Sequence, residues 1–339
     1  MKKIEFICSL PTENNLGGET LKNKILYEYL NEKNIKFNLL DFEKYKKNKI
    51  TILFKCIFSI INPFTNKILI SKASFSSYYF FKLCYYLNFF NKKIYYMVIG
   101  GTFPKSLEEK TFNIKYYKNI EKIYVESLKM KEKMLSMGLK QTEYLPNFKR
   151  FEIKDRIERK TVLPLKAIFF ARITEKKGIE MIFKMLQEVN KEEVKIEVDF
   201  YGPIAEEYKE EFENKISLIF SAEYKGILNP EKKTYDILSK YDFMLFPTFW
   251  EGEGFPGSII DALISSLPII ASDWNHNKEI VNEKVGYLFE SKNQKQFEKI
   301  IYDLIKSPKQ LLEKRKNCFE ESKKYHVNNV LKKFLEEIK

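Results

Sequence analysis

Apolar residues in this chain fall into two alternating patterns: short continuous runs, and stretches in which they recur every three or four positions. The opening KKIEFICSL reads as a strand. Gly17 and Gly18 follow, and ETLKNKILYEYLNEK then places Leu21, Ile25, Leu26 and Leu30 on one face of a helix. Further on, KIYYMVIGG reads as a buried strand ending at Gly100 and Gly101. KIYVES is another, ahead of the helix-like LKMKEKMLSMG. This series closes at YLPNFKR, and the charged, apolar-poor EIKDRIERK at 152–160 reads as a connection.

A second series starts at LKAIFFARI and leads into the helical pattern GIEMIFKMLQEV. KIEVDFYG alternates and stops at Gly202-Pro203; YKGIL follows. Asn229-Pro230-Glu231 then predicts a helix start, with a capping side chain and proline at the first helical position. That helix, through Tyr235, Leu238 and Tyr241, delivers the chain to the buried run FMLFP. Strands separated by helices of this length pair in parallel and build doubly wound α/β sheets. Such sheets bind ligands at the carboxyl ends of their strands.

One such end carries EGEGFPGSIIDALISSLPIIASDW, residues 251–274, which follows FMLFP and holds Gly252, Gly254 and Gly257 within six residues. Bare backbone lets a chain turn sharply and approach a ligand, and the helix expected from near Ser258 offers unpaired N–H groups to an anion. Ser258 and Asp261 also have the form of a capping box, a purely structural role for Asp261. At the end of LKAIFF, ARITEKKG holds Arg172 and Lys177. Two cations five apart in a strand-to-helix loop can converge on a diphosphate. A lysine in so lysine-rich a chain can equally be solvated surface.

Composition narrows the choice of chemistry. The 339 residues are 44% hydrophobic, enough for two cores. Cys8, Cys56, Cys84 and Cys318 show no metal-ligand spacing, and His276 and His326 are the only imidazoles, so no zinc site is expected. The amino terminus lacks the apolar stretch of a secretory leader, so a cytoplasmic location is expected. The net charge of +13 is uneven. Residues 1–150 carry 27 Lys and Arg against 13 Asp and Glu, the remainder 32 against 33. Residues 51–100 hold six lysines and no acid, interleaved with ILFKCIFSII and SYYFFKLCYYLNFF. That mixture suits the anionic surface of a membrane. Lys55, Lys67 and Lys82 interrupt the runs before they reach a spanning length of about 20 residues. The alternative is a buried strand and a core helix. Arginine is scarce and no recognition motif appears, so nucleic acid is not an expected partner.

Together these segments resemble the retaining glycosyltransferases of family 4. Arg172, Lys177 and Gly178 match the family's donor-diphosphate motif, and Glu253-x7-Asp261 after FMLFP matches its E-x7-E motif. SSLPIIASDW, KEIVNEKVGYLFE and YLPNF look like its later strand, its following segment and the PN that ends its first domain. The resemblance covers most of the second half and the first only in outline. It implies the GT-B fold, two Rossmann-like doubly wound domains facing across a cleft. The expected domains are 1–155, on the acceptor side and completed by a C-terminal helix at about 325–339, and 156–324, binding the donor.

The resemblance further implies transfer of a sugar from a nucleotide diphosphate sugar, a UDP-hexose or its N-acetyl form by family frequency. The implied acceptor is a saccharide or lipid-linked saccharide in bacterial surface polysaccharide synthesis. The sugar nucleotide is a substrate; no cofactor and no metal are implied. Arg172, Lys177 and Glu253 carry the expected catalytic roles, and Gly254, Phe255, Pro256, Gly257, Asp261, Gly17 and Gly18 the donor-binding ones. The sequence departs from the pattern in having Asp261 in place of Glu and in offering Glu251 as a rival to Glu253. Residues 1–150 contain no histidine, and a retaining front-face reaction needs no enzyme base. An inverting GT-B transferase, a sugar-nucleotide epimerase, and a non-enzymatic basic protein binding membrane or nucleic acid are the alternatives.

Overall fold

The computed structural model describes residues 3–13, 15, 17–152, 161–228 and 234–339. The helix start expected at Asn229-Pro230-Glu231, and all but the first residue of the connection expected at 152–160, lie outside them. The chain divides into two compact units. One comprises 1–150, 252–255 and 326–339; the other comprises 151–251 and 256–325.

In the first unit the order is β1 (Lys3–Cys8), α1 (Gly18–Glu32), β2 (Phe37–Asp41), α2 (Phe42–Tyr45), α3 (Lys49–Ile61), β3 (Thr65–Ala73) and α4 (Ser74–Leu87). Then come β4 (Lys93–Ile99), α5 (Phe103–Glu108), β5 (Lys122–Val125), α6 (Leu128–Ser136) and β6 (Thr142–Tyr144). All strands are parallel in the order β2-β1-β3-β4-β5-β6. The order reverses direction between β1 and β3, so their carboxyl ends frame this sheet's crevice.

Strand side chains alternate between two layers, as the period of two requires. Ile68 and Ile70, Tyr96 and Val98, and Ile123 and Val125 face α3, α4 and α6. Phe6, Leu69, Tyr95, Met97 and Tyr124 face the other way, toward α1 and the last helix. ILFKCIFSII, which could have been a buried strand, is the body of α3. Asn48 caps that helix by accepting from the amide of Thr51 at 2.9 Å. Neither β2 nor β3 stands out in the sequence: FNLLD mixes polar and apolar residues, and TNKILISKA is interrupted by lysine.

The second unit runs β7 (Leu165–Phe170), α7 (Ile179–Val189), β8 (Ile196–Tyr201), α8 (Lys209–Ile216), β9 (Ala222–Tyr224), α9 (Thr234–Leu238) and β10 (Phe243–Phe246). It continues through α10 (Gly257–Ile264), β11 (Ile269–Ser272), α11 (Asn277–Ile280), β12 (Gly286–Phe289), α12 (Gln294–Lys306) and α13 (Gln310–Ser322). Its six strands are also parallel, in the order β12-β11-β10-β7-β8-β9. From β7 the chain winds outward to β9 and then returns to lay β10 on the opposite side of β7, so β7 and β10 meet at the reversal point. The helix expected through Tyr241 stops at Leu238. The chain ends in α14 (Val327–Ile338), which packs Leu331, Phe334 and Ile338 on the first sheet. Lys67 Nζ and the Tyr95 hydroxyl donate to backbone oxygens at its end, Ile338 and Glu337, at 2.8 and 3.1 Å.

Candidate active site

In the second unit the carboxyl ends of β7 and β10 present the two loops singled out by the sequence. The first leaves β7 at Phe170 and holds Arg172, whose side chain is exposed. Ile173 then bonds through its amide to Pro203 O at 2.9 Å, and a short 3-10 turn at Glu175–Lys177 leads to Gly178. Gly178 sits at φ 77°, and a Cβ there would lie 2.2 Å from the carbonyl oxygen of Pro247, the first residue after β10. Only glycine allows that approach and that backbone angle at once. The amide of Phe249 donates to Lys176 O at 2.9 Å, tying the two loops together.

Lys177 is not a solvated lysine. It is only 7% exposed, and its ammonium lies 5.3 Å from the Phe246 ring centre and 4.9 Å from that of Trp250. Desolvation by two aromatic faces strengthens any electrostatic contact the ammonium makes. The Trp250 carbonyl accepts from Trp274 Nε1 at 2.8 Å, and Glu251 O from Asn275 Nδ2 at 3.2 Å. The segment after β11 therefore holds the start of the glycine-rich loop.

The capping box read from Ser258 and Asp261 is not formed. Helix α10 begins at Gly257 with Pro256 at its N-cap and no side-chain cap, so Ser258 already lies inside the first turn. Asp261 is buried within the helix at 7% exposure. Pro256, the N-cap of α10, gives its first amides no side-chain cap, and these amides lie one turn from Asp261. This is the type of helix start that binds anions.

Gly252–Phe255 groups with the first unit. Glu253 is buried and Glu251 exposed. A Cβ on Gly101 would lie 2.4 Å from Glu253 O, and one on Gly254 would lie 2.9 Å from Gly100 Cα and 3.0 Å from Glu126 Oε2. Bare backbone at Gly254 and Gly101 is therefore demanded by the protein's own packing. Asn147, the asparagine of YLPNF, donates to Phe255 O at 3.1 Å. Glu126 receives Lys22 Nζ on Oε1 at 2.6 Å and the amide of Gly100 on Oε2 at 3.3 Å.

Lys22 lies one turn into α1, whose N-cap is Gly17 and whose first residue is Gly18. Both glycines are exposed, and a Cβ on Gly18 would meet nothing within 4 Å. Beside them, at the carboxyl ends of β1 and β3, Lys72 Nζ donates to Ser9 Oγ at 2.6 Å and pairs with Glu19 at 3.2 Å. Nearby, burial drives the Cys8 thiol pKa far upward; Asp41 adds to the shift and Lys72 opposes it. Sequence reading missed Lys22, Lys72 and Glu126. Nothing local marks two lysines among so many, or one glutamate closing a strand. A separate cavity of about 290 Å³ beside Tyr85, Lys93, Tyr116 and Glu121 lies at the amino ends of β4 and β5, away from this crevice.

A family model described as glycosyl transferases group 1 matches residues 150–325, just over half of the chain. The chain belongs to this family. A search of curated protein sequences finds no match. Among solved structures, this group 1 glycosyltransferase is similar to the Anabaena protein HepE in complex with UDP, with 12% identity, 99% of each chain covered and a TM-score of 0.74. It is also similar to a sucrose-phosphate synthase from Thermosynechococcus elongatus, with 13% identity, 100% of this chain and 98% of that one covered, and a TM-score of 0.77. A third similar structure is the lipopolysaccharide outer core galactosyltransferase WaaB, with 13% identity, 99% of each chain covered and a TM-score of 0.69. At such identities the likeness establishes the fold, the two-domain Rossmann-like arrangement of GT-B proteins.

Proposed function

We propose that this glycosyltransferase moves a hexosyl or N-acetylhexosaminyl group from a UDP-sugar to a saccharide or lipid-linked saccharide, with retention at the anomeric carbon and without a metal. The observation that carries the reading is that β7 and β10, neighbours at the reversal point of the second sheet, are followed at their carboxyl ends by Arg172 and Lys177 in one case and by the glycine-rich loop and the start of α10 in the other. Three positive elements there suit a diphosphate. The HepE structures with UDP and UDP-glucose, and the galactosyltransferase WaaB, support that donor class.

In this reaction the bond between the sugar's anomeric carbon and the diphosphate oxygen breaks, and its electron pair goes to that oxygen. Arg172, Lys177 and the α10 amides stabilise the growing negative charge. The acceptor hydroxyl attacks from the face the diphosphate leaves and gives its proton to the departing phosphate oxygen. No histidine base is asked for, and His326 accepts from the amide of Asn328 at the start of α14. Glu253 orients sugar hydroxyls and Asp261 the ribose, while the segment Gly254, Phe255, Pro256 and Gly257 meets the phosphates and the donor sugar, Pro256 shaping the turn because it has no N–H to donate. Gly17 and Gly18, at the start of α1, are read as further donor-binding backbone. Assembly of a bacterial surface polysaccharide is the context this chemistry fits.

The test is calorimetric titration with UDP, UDP-glucose and UDP-N-acetylglucosamine, followed by detection of UDP release with saccharide acceptors and NMR of the product anomer. Saturable binding that Arg172→Ala weakens about ten- to a hundredfold, and a product with the donor's anomeric configuration, are expected. Failure of every sugar nucleotide to bind would overturn the reading, and an inverted product would overturn retention.

A further inference from the structure

We infer that the outer face of α3 and α4 is an attachment surface for the anionic headgroup region of a lipid bilayer. Beyond its first residue helix α3 carries Lys55 as its one charge and is otherwise largely apolar, a composition that normally accompanies burial. Here only one side is covered. Cys56, Ser59 and Ile60 turn inward, while Ile50, Phe54 and Phe58, spaced four apart, form an outer stripe with Phe54 69% and Phe58 62% exposed.

Helix α4 repeats the arrangement. Phe80, Phe81 and Cys84 enter the same core layer as α3, whereas Phe75, Tyr79 and Tyr86 fall on one outward stripe with Lys82 between them. The two helices pack side by side on one face of the sheet, so both stripes look out from the same layer. Phe64, 79% exposed and just before β3, and Phe89, 74% exposed and just after α4, extend the apolar character into the adjoining turns. An exposed apolar patch of this kind marks an interaction surface.

Charge selects the partner. Residues 44–107 contain eleven lysines and no Asp or Glu, so no carboxylate from α3 or α4 faces the patch. Lys49, Lys55 and Lys82 are exposed among the aromatic residues. Aromatic and aliphatic side chains flanked by lysines, with no acid on either helix, match a surface of acyl chains under negative headgroups. No helix among the described residues is long and apolar enough to cross a membrane, so the contact is peripheral.

Co-sedimentation of the full chain with phosphatidylcholine vesicles, and with the same vesicles carrying phosphatidylglycerol, tests this without any sugar nucleotide, so it stands apart from the transferase reading. The protein is expected to sediment with the anionic vesicles at low salt, the bound fraction falling as salt is raised. Phe54→Glu with Phe58→Glu should weaken partitioning at least about tenfold. Lys55→Gln and Lys82→Gln should each weaken it about fivefold on anionic vesicles only, and serve as the independent reading if the phenylalanine variant does not fold. Wild-type protein left in the supernatant, or variants that bind as wild type does, would overturn the inference. So would light scattering that shows a dimer split by the phenylalanine substitutions together with no vesicle binding, because the face would then join two copies of this chain.

Discussion

Lys22 and Glu126 form a buried ion pair, Nζ to Oε1 at 2.6 Å, with side chains 2% and 4% exposed. The other carboxylate oxygen stands 3.0 Å from where a side chain on Gly254 would begin. One glutamate thus fixes the first turns of α1, the Gly100 amide and the space beside the glycine-rich segment. Removing it strands a buried ammonium. Glu126→Ala should cost about 3–5 kcal/mol in thermal or denaturant unfolding, and Lys22→Met with Glu126→Leu should recover much of that. If Glu126→Ala unfolds as the wild type does, the pair is not what holds these elements.

The glycines separate into two kinds. Gly178→Ala would press a Cβ on Pro247 O and strain a left-handed backbone, so a stability loss of at least about 1–3 kcal/mol is expected. Gly254→Ala meets Gly100 Cα at 2.9 Å and should also lower the melting temperature. Gly18→Ala meets open space at a helix start and should leave stability unchanged or slightly raised. A loss of turnover in Gly18→Ala without loss of stability would favour substrate contact there over a plain turn.

Charge removal at the diphosphate site should separate binding from folding. Arg172→Ala and Lys177→Ala are each expected to weaken sugar-nucleotide binding by about ten- to a hundredfold, since a hydrogen bond to a charged group contributes about 1.5–3 kcal/mol. Arg172 is exposed and its loss should spare the melting temperature. Lys177 packs on Phe246 and Trp250, and its loss should lower it. Glu253→Gln should reduce turnover more than Glu251→Gln. Equal effects from the two glutamates, measured as UDP release, would undo the preference for the buried one.

The thiols set a pH limit. Burial pushes Cys56 from 9.0 to about 12, against a small opposing effect of Lys72, so the folded state keeps it protonated when an unfolded chain would ionise it. The folded state then binds more protons than the unfolded one. This contribution to stability is whole below pH 9 and falls away as pH rises from 9 toward 12. Thiol titration with a chromogenic disulfide at pH 8 should find all four buried cysteines slow in native protein and fast after denaturation. Rapid native labelling of Cys56 would contradict it.

Periodicity and motif spacing settled the local half of this structure. Runs such as LKAIFF and FMLFP are strands because continuous apolar segments of that length suit a sheet covered on both faces, and GIEMIFKMLQEV is a helix because its apolar residues return every three or four positions. ARITEKKG and EGEGFPG were legible because each lies just beyond such a strand. Strand order was not legible. It joins β7 to β10, 76 residues apart at the Lys166–Asp242 contact, and no short window of sequence encodes a pairing of that span. The same holds for Lys22 with Glu126 and for Asn147 with Phe255, more than a hundred residues apart in each case. The face on which Phe54 and Phe58 lie was equally undetermined, because apolar residues of α3 fall on more than one side and only its packing on α4 and the sheet decides which side is left to solvent. Local pattern depends on a few neighbouring side chains, whereas pairing and exposure depend on what the rest of the chain brings alongside.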